Sequence, residues 1–248
     1  MSFSISQAVR ELAEPKLAKF TAKLLPTVDP ARILGVRTPA LRKLSKKLLR
    51  EHPQETAEFM AAVPHDFQEE DLLHVLLLNE ERDFAAWHAE ITDFLPYMTN
   101  WILTDAVSPA CVKGGKAANL PKLERSCLNW MLDDRVYVQR LGVVVLMSLL
   151  STESFSPEHL RAVAALASSD EYYVRVAVAW YFAEALARQE HAALPWFALA
   201  NSSGSTDSPG LPAVTLRMAI TKAIESRRIS DDLKAELRQI RSTLPRRS

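Results

Sequence analysis

Asp134-Arg-Val-Tyr-Val-Gln-Arg140 and Asp170-Glu-Tyr-Tyr-Val-Arg-Val-Ala177 open two long apolar runs with the same pattern. Each places an aspartate at a helix start, followed three and four residues later by a tyrosine and a valine. Tyr137-Val138 and Tyr173-Val174 stand 36 residues apart. One further step back lands on Trp101, again an aromatic near a helix start. A period in the high thirties with two helices per unit is the signature of HEAT-like arrays, in which no unit buries its apolar face alone. The pattern predicts an all-α chain: stacked antiparallel helix pairs that build an α-solenoid with a concave surface.

The remainder of the chain agrees. There are six glycines, no Asn-Gly or Asp-Gly hairpin turn, and little alternation of period two, so strands are not expected. Apolar residues recur at helical spacing in Leu41, Leu44, Leu48 and in Leu72, Val75, Leu76. Thr38-Pro39, Ser108-Pro109 and Ser156-Pro157 read as a capping residue followed by proline at the first helical position, where its missing N–H costs nothing. Asn201–Gly210 is polar and reads as a flexible loop within a single domain spanning 1–248, because too little chain follows it for a second core.

At 48% hydrophobic and 24% charged residues the composition is neither disordered nor membranous. No apolar run approaches the length of a membrane span, and no signal peptide is visible at the start. Cys111 and Cys127 are too few for a disulfide framework or a four-cysteine zinc site, so a reducing cytoplasm is expected. Thirty basic residues balance thirty acidic ones, which alone argues against a polyanion binder. The charges are segregated, however. Arg37, Arg42, Lys43, Lys46, Lys47 and Arg50 fall in a stretch without acids, and residues 51–93 then run acidic. One basic face on a neutral protein suffices to bind a polyanion.

Six positions carry candidate chemistry. Trp101 and Asp105 stand four apart, on one face of a helix. An indole face attracts a cation, and a carboxylate beside it stabilises positive charge or orients a water. The same spacing fits a core tryptophan with an exposed or capping aspartate. Arg140 interrupts an apolar helix and either lies on the concave edge, bonded to an acid or phosphate, or pairs at the surface with Asp133 or Asp134. Trp180 sits in an apolar run, where a tryptophan is core more often than a ligand contact. Tyr173 and Arg175 lie near that helix's start, where phosphates bind favourably, or form a packed aromatic beside a solvated arginine. Gly35–Leu44 lacks a phosphate-loop ending and reads as a turn, a Thr cap, a Pro first turn and a basic helix. The six histidines, His65 and His74 among them, show no metal-ligand spacing, and no nucleophile elbow occurs. No metal or cofactor is expected.

Taken together, these residues resemble the bacterial DNA alkylation repair family, the HEAT-like-repeat alkylpurine DNA glycosylases. The resemblance rests on Lys23-Leu-Leu-Pro-Thr-Val-Asp-Pro30, Ile33-Leu-Gly-Val-Arg-Thr-Pro-Ala-Leu-Arg-Lys43, Asn100-Trp-x-x-x-Asp105, Tyr137-Val-Gln-Arg140, and Tyr173-Val-Arg175 with Trp180. It implies a monomer whose concave face binds duplex DNA, alkylated or distorted. Release of 3-methyladenine or 7-methylguanine would proceed without flipping the base into a pocket. By motif, the resemblance implies that Trp101 and Trp180 contact sugar and backbone, Asp105 stabilises the cation and positions water, and Arg140 holds a phosphate. The candidate DNA contacts extend to Tyr137, Tyr173, Arg175, Arg37, Arg42 and Lys43. Active members use an additional N-terminal helix that presses on the DNA at the lesion. Here Phe20–Asp29 occupies that place, and Pro26 and Pro30 are positioned to interrupt a long helix. The arrangement is similar to a branch that keeps the constellation and lacks that helix. A non-catalytic binder of DNA structure, or a helical scaffold for protein partners, is the alternative the fold allows.

Overall fold

The computed structural model describes residues 3–113, 117–200 and 209–245. Every regular element among them is helical; the only β pairing is an isolated bridge between Leu199 and Leu211. Asn201–Ser208, most of the expected flexible loop, lies outside the described residues. None of the helices is long and apolar enough to cross a membrane. By internal contacts the chain divides into two compact units, Met1–Asn119 and Leu120–Ser248.

The first unit contains α1 (Ile5–Arg10), α2 (Pro15–Leu24), α3 (Thr38–Glu51), α4 (Pro53–Ala61), α5 (Gln68–Leu78), α6 (Phe84–Phe94) and α7 (Trp101–Ala106). α5 is its centre: it packs on α1, α3, α6 and α7, and all eleven of its residues are buried. A helix covered on every side needs no polar face, which explains the unbroken Leu-Leu-His-Val-Leu-Leu-Leu run. α3 is amphipathic instead, burying Leu41, Ser45 and Leu48 while Leu49 stays exposed. Its N-cap is Arg37 and Thr38 is already helical, so the expected Thr cap falls one residue early. Ser108-Pro109 leads into a single 3-10 turn, Ala110–Val112, rather than an α-helix. α2 stops at Leu24, before Pro26, and Pro30 opens the 3-10 turn Pro30–Arg32; the two prolines divide the segment as expected.

The second unit contains α8 (Leu120–Met131), α9 (Val136–Leu146), α10 (Pro157–Ala164), α11 (Tyr172–Arg188), α12 (Glu190–Ala193), α13 (Ala213–Glu225) and α14 (Asp231–Thr243). Its helices pack in chain order, α8 on α9, α9 on α11, α11 on α13 and α13 on α14. α9 and α11 begin at Val136 and Tyr172, 36 residues apart, the same spacing as the two tyrosine-valine pairs. The cap residues are Arg135 and Glu171, however, and neither aspartate of the repeated phrase caps its helix. Asp133 and Ser169 accept the N–H groups of those two residues instead. Ser156 behaves as expected, capping α10 with Pro157 in the first turn. Gly142 allows α8 and α9 to approach closely, since a Cβ there would lie 2.6 Å from the carbonyl of Cys127.

Candidate functional site

In the first unit, the α7 candidates are held by a buried polar knot. Asn100 is fully buried and caps α7, its Oδ1 accepting from the N–H groups of Ile102 at 3.0 Å and Leu103 at 3.4 Å. Its amide Nδ2 donates to Oε1 of Gln68 at 2.8 Å, tying α7 to the first residue of α5. Glu69, next along α5, is only 4% exposed. Its Oε1 accepts from Gly35 N at 2.7 Å and Val36 N at 3.3 Å, and its Oε2 from Leu34 N at 2.9 Å. Three successive N–H groups thus enclose one carboxylate, an anion-binding nest filled from within the chain. Glu70 accepts from the N–H groups of Asp66 and Phe67. Asp71 pairs with Arg32 at 3.0 Å, and burial still raises its carboxyl to about 7 against the pull of that guanidinium.

Trp101 is the first residue of α7 and is half-buried. Its ring joins Ala18 and Ala22 of α2 against Leu25, Val28 and Ile33, and its indole N–H donates to Leu24 O at 3.1 Å. Asp105, also half-buried, lies with its Oδ1 3.1 Å from the hydroxyl of Thr104, whose single proton is shared between that carboxylate and the carbonyl of Trp101, also at 3.1 Å. The two candidates share one short helix whose start is fixed by Asn100 and whose first side chain is fixed by α2.

The basic segment divides into paired and unpaired charges. Arg37 forms a bidentate pair with Glu14, at 2.7 and 2.9 Å. Lys47 and Arg50 both face Glu51. Arg42, Lys43 and Lys46 are exposed and enter no ion pair among the described residues. The acidic run is also less uniform than its composition implies, because Glu69, Glu70 and Asp71 are internal.

In the second unit, Tyr137 of α9 and Tyr173 of α11 meet with ring centroids 5.7 Å apart. These are the equivalent tyrosines of the repeat. Arg140 is 3% exposed, and its Nη1 donates to Tyr173 O at 2.8 Å. It is therefore not a surface arginine, and Asp133 forms its bidentate pair with Arg135. The Arg175 guanidinium donates back to Ser169 O, bracing the entry to its own helix, while its Nε is buried without a partner. Trp180 is half-buried. Cys127 is a buried free cysteine whose thiol pKa is pushed well above its usual range by burial.

Several residues of this framework were not singled out from sequence. Thr104 offers only a serine-like hydroxyl next to an acid, a common adjacency. Glu69 belongs to Gln68-Glu-Glu-Asp71, four polar residues just before an apolar run. Acids in a helix's first turn are favourable there, which was the available signal. His65 and His74 stand nine apart, yet their Nε2 and Nδ1 atoms meet at 2.9 Å. No linear spacing reports that contact.

A family model for DNA alkylation repair enzymes matches residues 5–223. No curated protein matches the chain.

Proposed function

Since the chain belongs to the DNA alkylation repair enzyme family, we propose that it binds duplex DNA and releases cationic alkylpurines from it. The helix pairs of the second unit are read as HEAT-like repeats, a reading supported by serial packing and the 36-residue step between α9 and α11. Alkylation at N3 or N7 of a purine places positive charge on the base. The glycosidic C1′–N bond breaks with its electron pair moving onto the base, which leaves neutral. Positive charge then appears on the sugar as an oxocarbenium-like species. Water adds to C1′ and loses its proton, leaving an abasic site.

In this proposal Asp105 stabilises the sugar cation and takes that proton, and Trp101 presents its ring to the sugar. Trp180 contacts the backbone, and Arg140 holds a phosphate. Tyr137, Tyr173 and Arg175 would lie along the same strand contacts, and Arg42 and Lys43 would supply the sequence-independent attraction. The observation that carries the proposal is the construction of α7. A buried Asn100–Gln68 pair fixes the helix, α2 fixes the Trp101 ring, and the Thr104 hydroxyl lies 3.1 Å from both Asp105 Oδ1 and Trp101 O, so the tryptophan–carboxylate pair is preorganised.

A second reading, a non-catalytic binder of DNA shape, is favoured by two observations. The Trp101 N–H is committed to Leu24, and Arg140 is nearly fully buried. A base-release assay on alkylated duplex DNA separates the two readings: appearance of free alkylpurine supports catalysis, and DNA binding without release supports the second.

A further inference from the structure

The first unit contains a cavity of about 510 Å³ lined by residues of α3, α4, α5 and α6 and their connections. That is the size of a small-molecule site. Its base is apolar, with Leu77 and Phe94 buried and Met60 half-buried. Its mouth is acidic: Glu80, Glu90 and Asp93 line it, are exposed, and enter no ion pair among the described residues. The carboxylate of Glu81, a fourth acid at the cavity, accepts from the N–H groups of Arg82 and Asp83. No lysine or arginine lines the cavity, so nothing in its wall neutralises these charges. Such a surface repels phosphate and attracts cations.

A second feature, independent of the acids, lies at the base. His74 is 4% exposed, lines the cavity and stacks on Phe94 with ring centroids 3.9 Å apart. Its Nδ1 bonds to Nε2 of His65, and its own Nε2 has no hydrogen-bond partner among the described residues. Burial holds the ring neutral, lowering its pKa to about 3. A neutral imidazole nitrogen donates or accepts according to tautomer, so the cavity base offers one unused polar atom to a ligand.

We propose that this cavity binds a small organic cation, an ammonium joined to an apolar body with a hydrogen-bonding group at its far end. The body rests on Met60, Leu77 and Phe94, the far group bonds to His74 Nε2, and the ammonium sits among Glu80, Glu90 and Asp93. The site uses none of the residues assigned to DNA, and it stands or falls independently of the repair function.

Tyramine is a probe of this shape, and 3-(4-hydroxyphenyl)propionate is its anionic counterpart of similar size. With methionine methyl groups labelled, tyramine is expected to shift the Met60 resonance saturably in the full-length protein, and the anion to leave it unmoved. The doubly substituted Glu90→Gln, Asp93→Asn protein alters only exposed side chains and is expected to bind tyramine at least fivefold more weakly. Three results would each overturn the proposal: no saturable Met60 shift, equal binding of the anion, or undiminished affinity in the double variant.

Discussion

Gly35 donates its backbone N–H to Oε1 of Glu69 at 2.7 Å, in a left-handed conformation with φ +79°. An added Cβ at Gly35 would lie 2.3 Å from Ala18 N, so α2 can cross this turn only because the residue is glycine. The Leu34-Gly35-Val36 turn therefore joins α2 to the start of α5 through one internal carboxylate.

Removing that carboxylate leaves three backbone donors without their acceptor. Glu69→Ala is expected to destabilise the protein by about 3 kcal/mol, and Gly35→Ala by about 2 kcal/mol or more. Urea denaturation of both variants checks this. A cost below about 1 kcal/mol for Glu69→Ala would show that the nest is not a structural anchor.

The histidine pair makes stability pH-dependent. His74 has a folded pKa of about 3 and an ordinary value of 6.5, so the unfolded chain takes up a proton as pH falls below 6.5 and the folded one does not. This contribution is complete above pH 6.5 and is lost progressively toward pH 3. Asp71 works in the opposite sense: raised to about 7, it favours the folded state below pH 3.8, and that contribution disappears as pH rises through 7. The two oppose each other, so a variant isolates one of them. Relative to wild type, His74→Gln should gain about 2 kcal/mol between pH 7 and pH 5. Denaturation midpoints at both pH values test it; an unchanged difference would mean His74 is not held neutral.

Charge pairing separates the basic residues in their effect on DNA binding. Arg42→Gln and Lys43→Gln should each weaken binding uniformly across sequences and reduce the salt slope by about one. Arg37→Gln should change it less, because Glu14 already neutralises that guanidinium. Anisotropy titrations of a labelled duplex over a range of salt concentrations check the order. Equal effects from all three would show that the Glu14 pair opens on DNA.

Thr104 is a positioning residue for Asp105 in the proposed reaction. Thr104→Val keeps the side-chain shape, removes the hydroxyl that lies 3.1 Å from both Asp105 Oδ1 and Trp101 O, and should slow base release by about tenfold, equivalent to about 1.4 kcal/mol. DNA affinity should remain unchanged, and Thr104→Ser should recover most of the rate. A purely structural role for the hydroxyl would instead lower stability and leave the rate of the folded fraction alone.

The helical class and the spacing of two of its helices were legible because they rest on short-range pattern. The two tyrosine-valine pairs do mark helices 36 residues apart, and their tyrosines touch. Ser156-Pro157 was legible for the same reason, whereas Asp134 and Asp170 were misplaced because a neighbouring side chain takes the turn in each case. The surroundings of the site were not legible. Arg140 reads from sequence either as an edge residue bonded to an acid or phosphate or as a surface partner of Asp133 or Asp134; it is buried, and it donates to the carbonyl of Tyr173, which belongs to another helix. Glu69–Asp71 read from sequence only as part of the acidic run over residues 51–93, and the burial of Glu69 and Asp71 is matched by three N–H groups and an arginine more than thirty residues earlier. Trp101 and Asp105 were legible as a pair on one helix; what holds that helix was not.

The most direct test of the proposed function is release of free base from duplex DNA carrying 3-methyladenine and 7-methylguanine, measured for the wild-type protein and for Asp105→Asn. The proposal requires release above the spontaneous rate by wild type and a loss of about 100-fold or more in the variant, with DNA binding retained. Release no faster than the spontaneous rate, or equal release by Asp105→Asn, would contradict it.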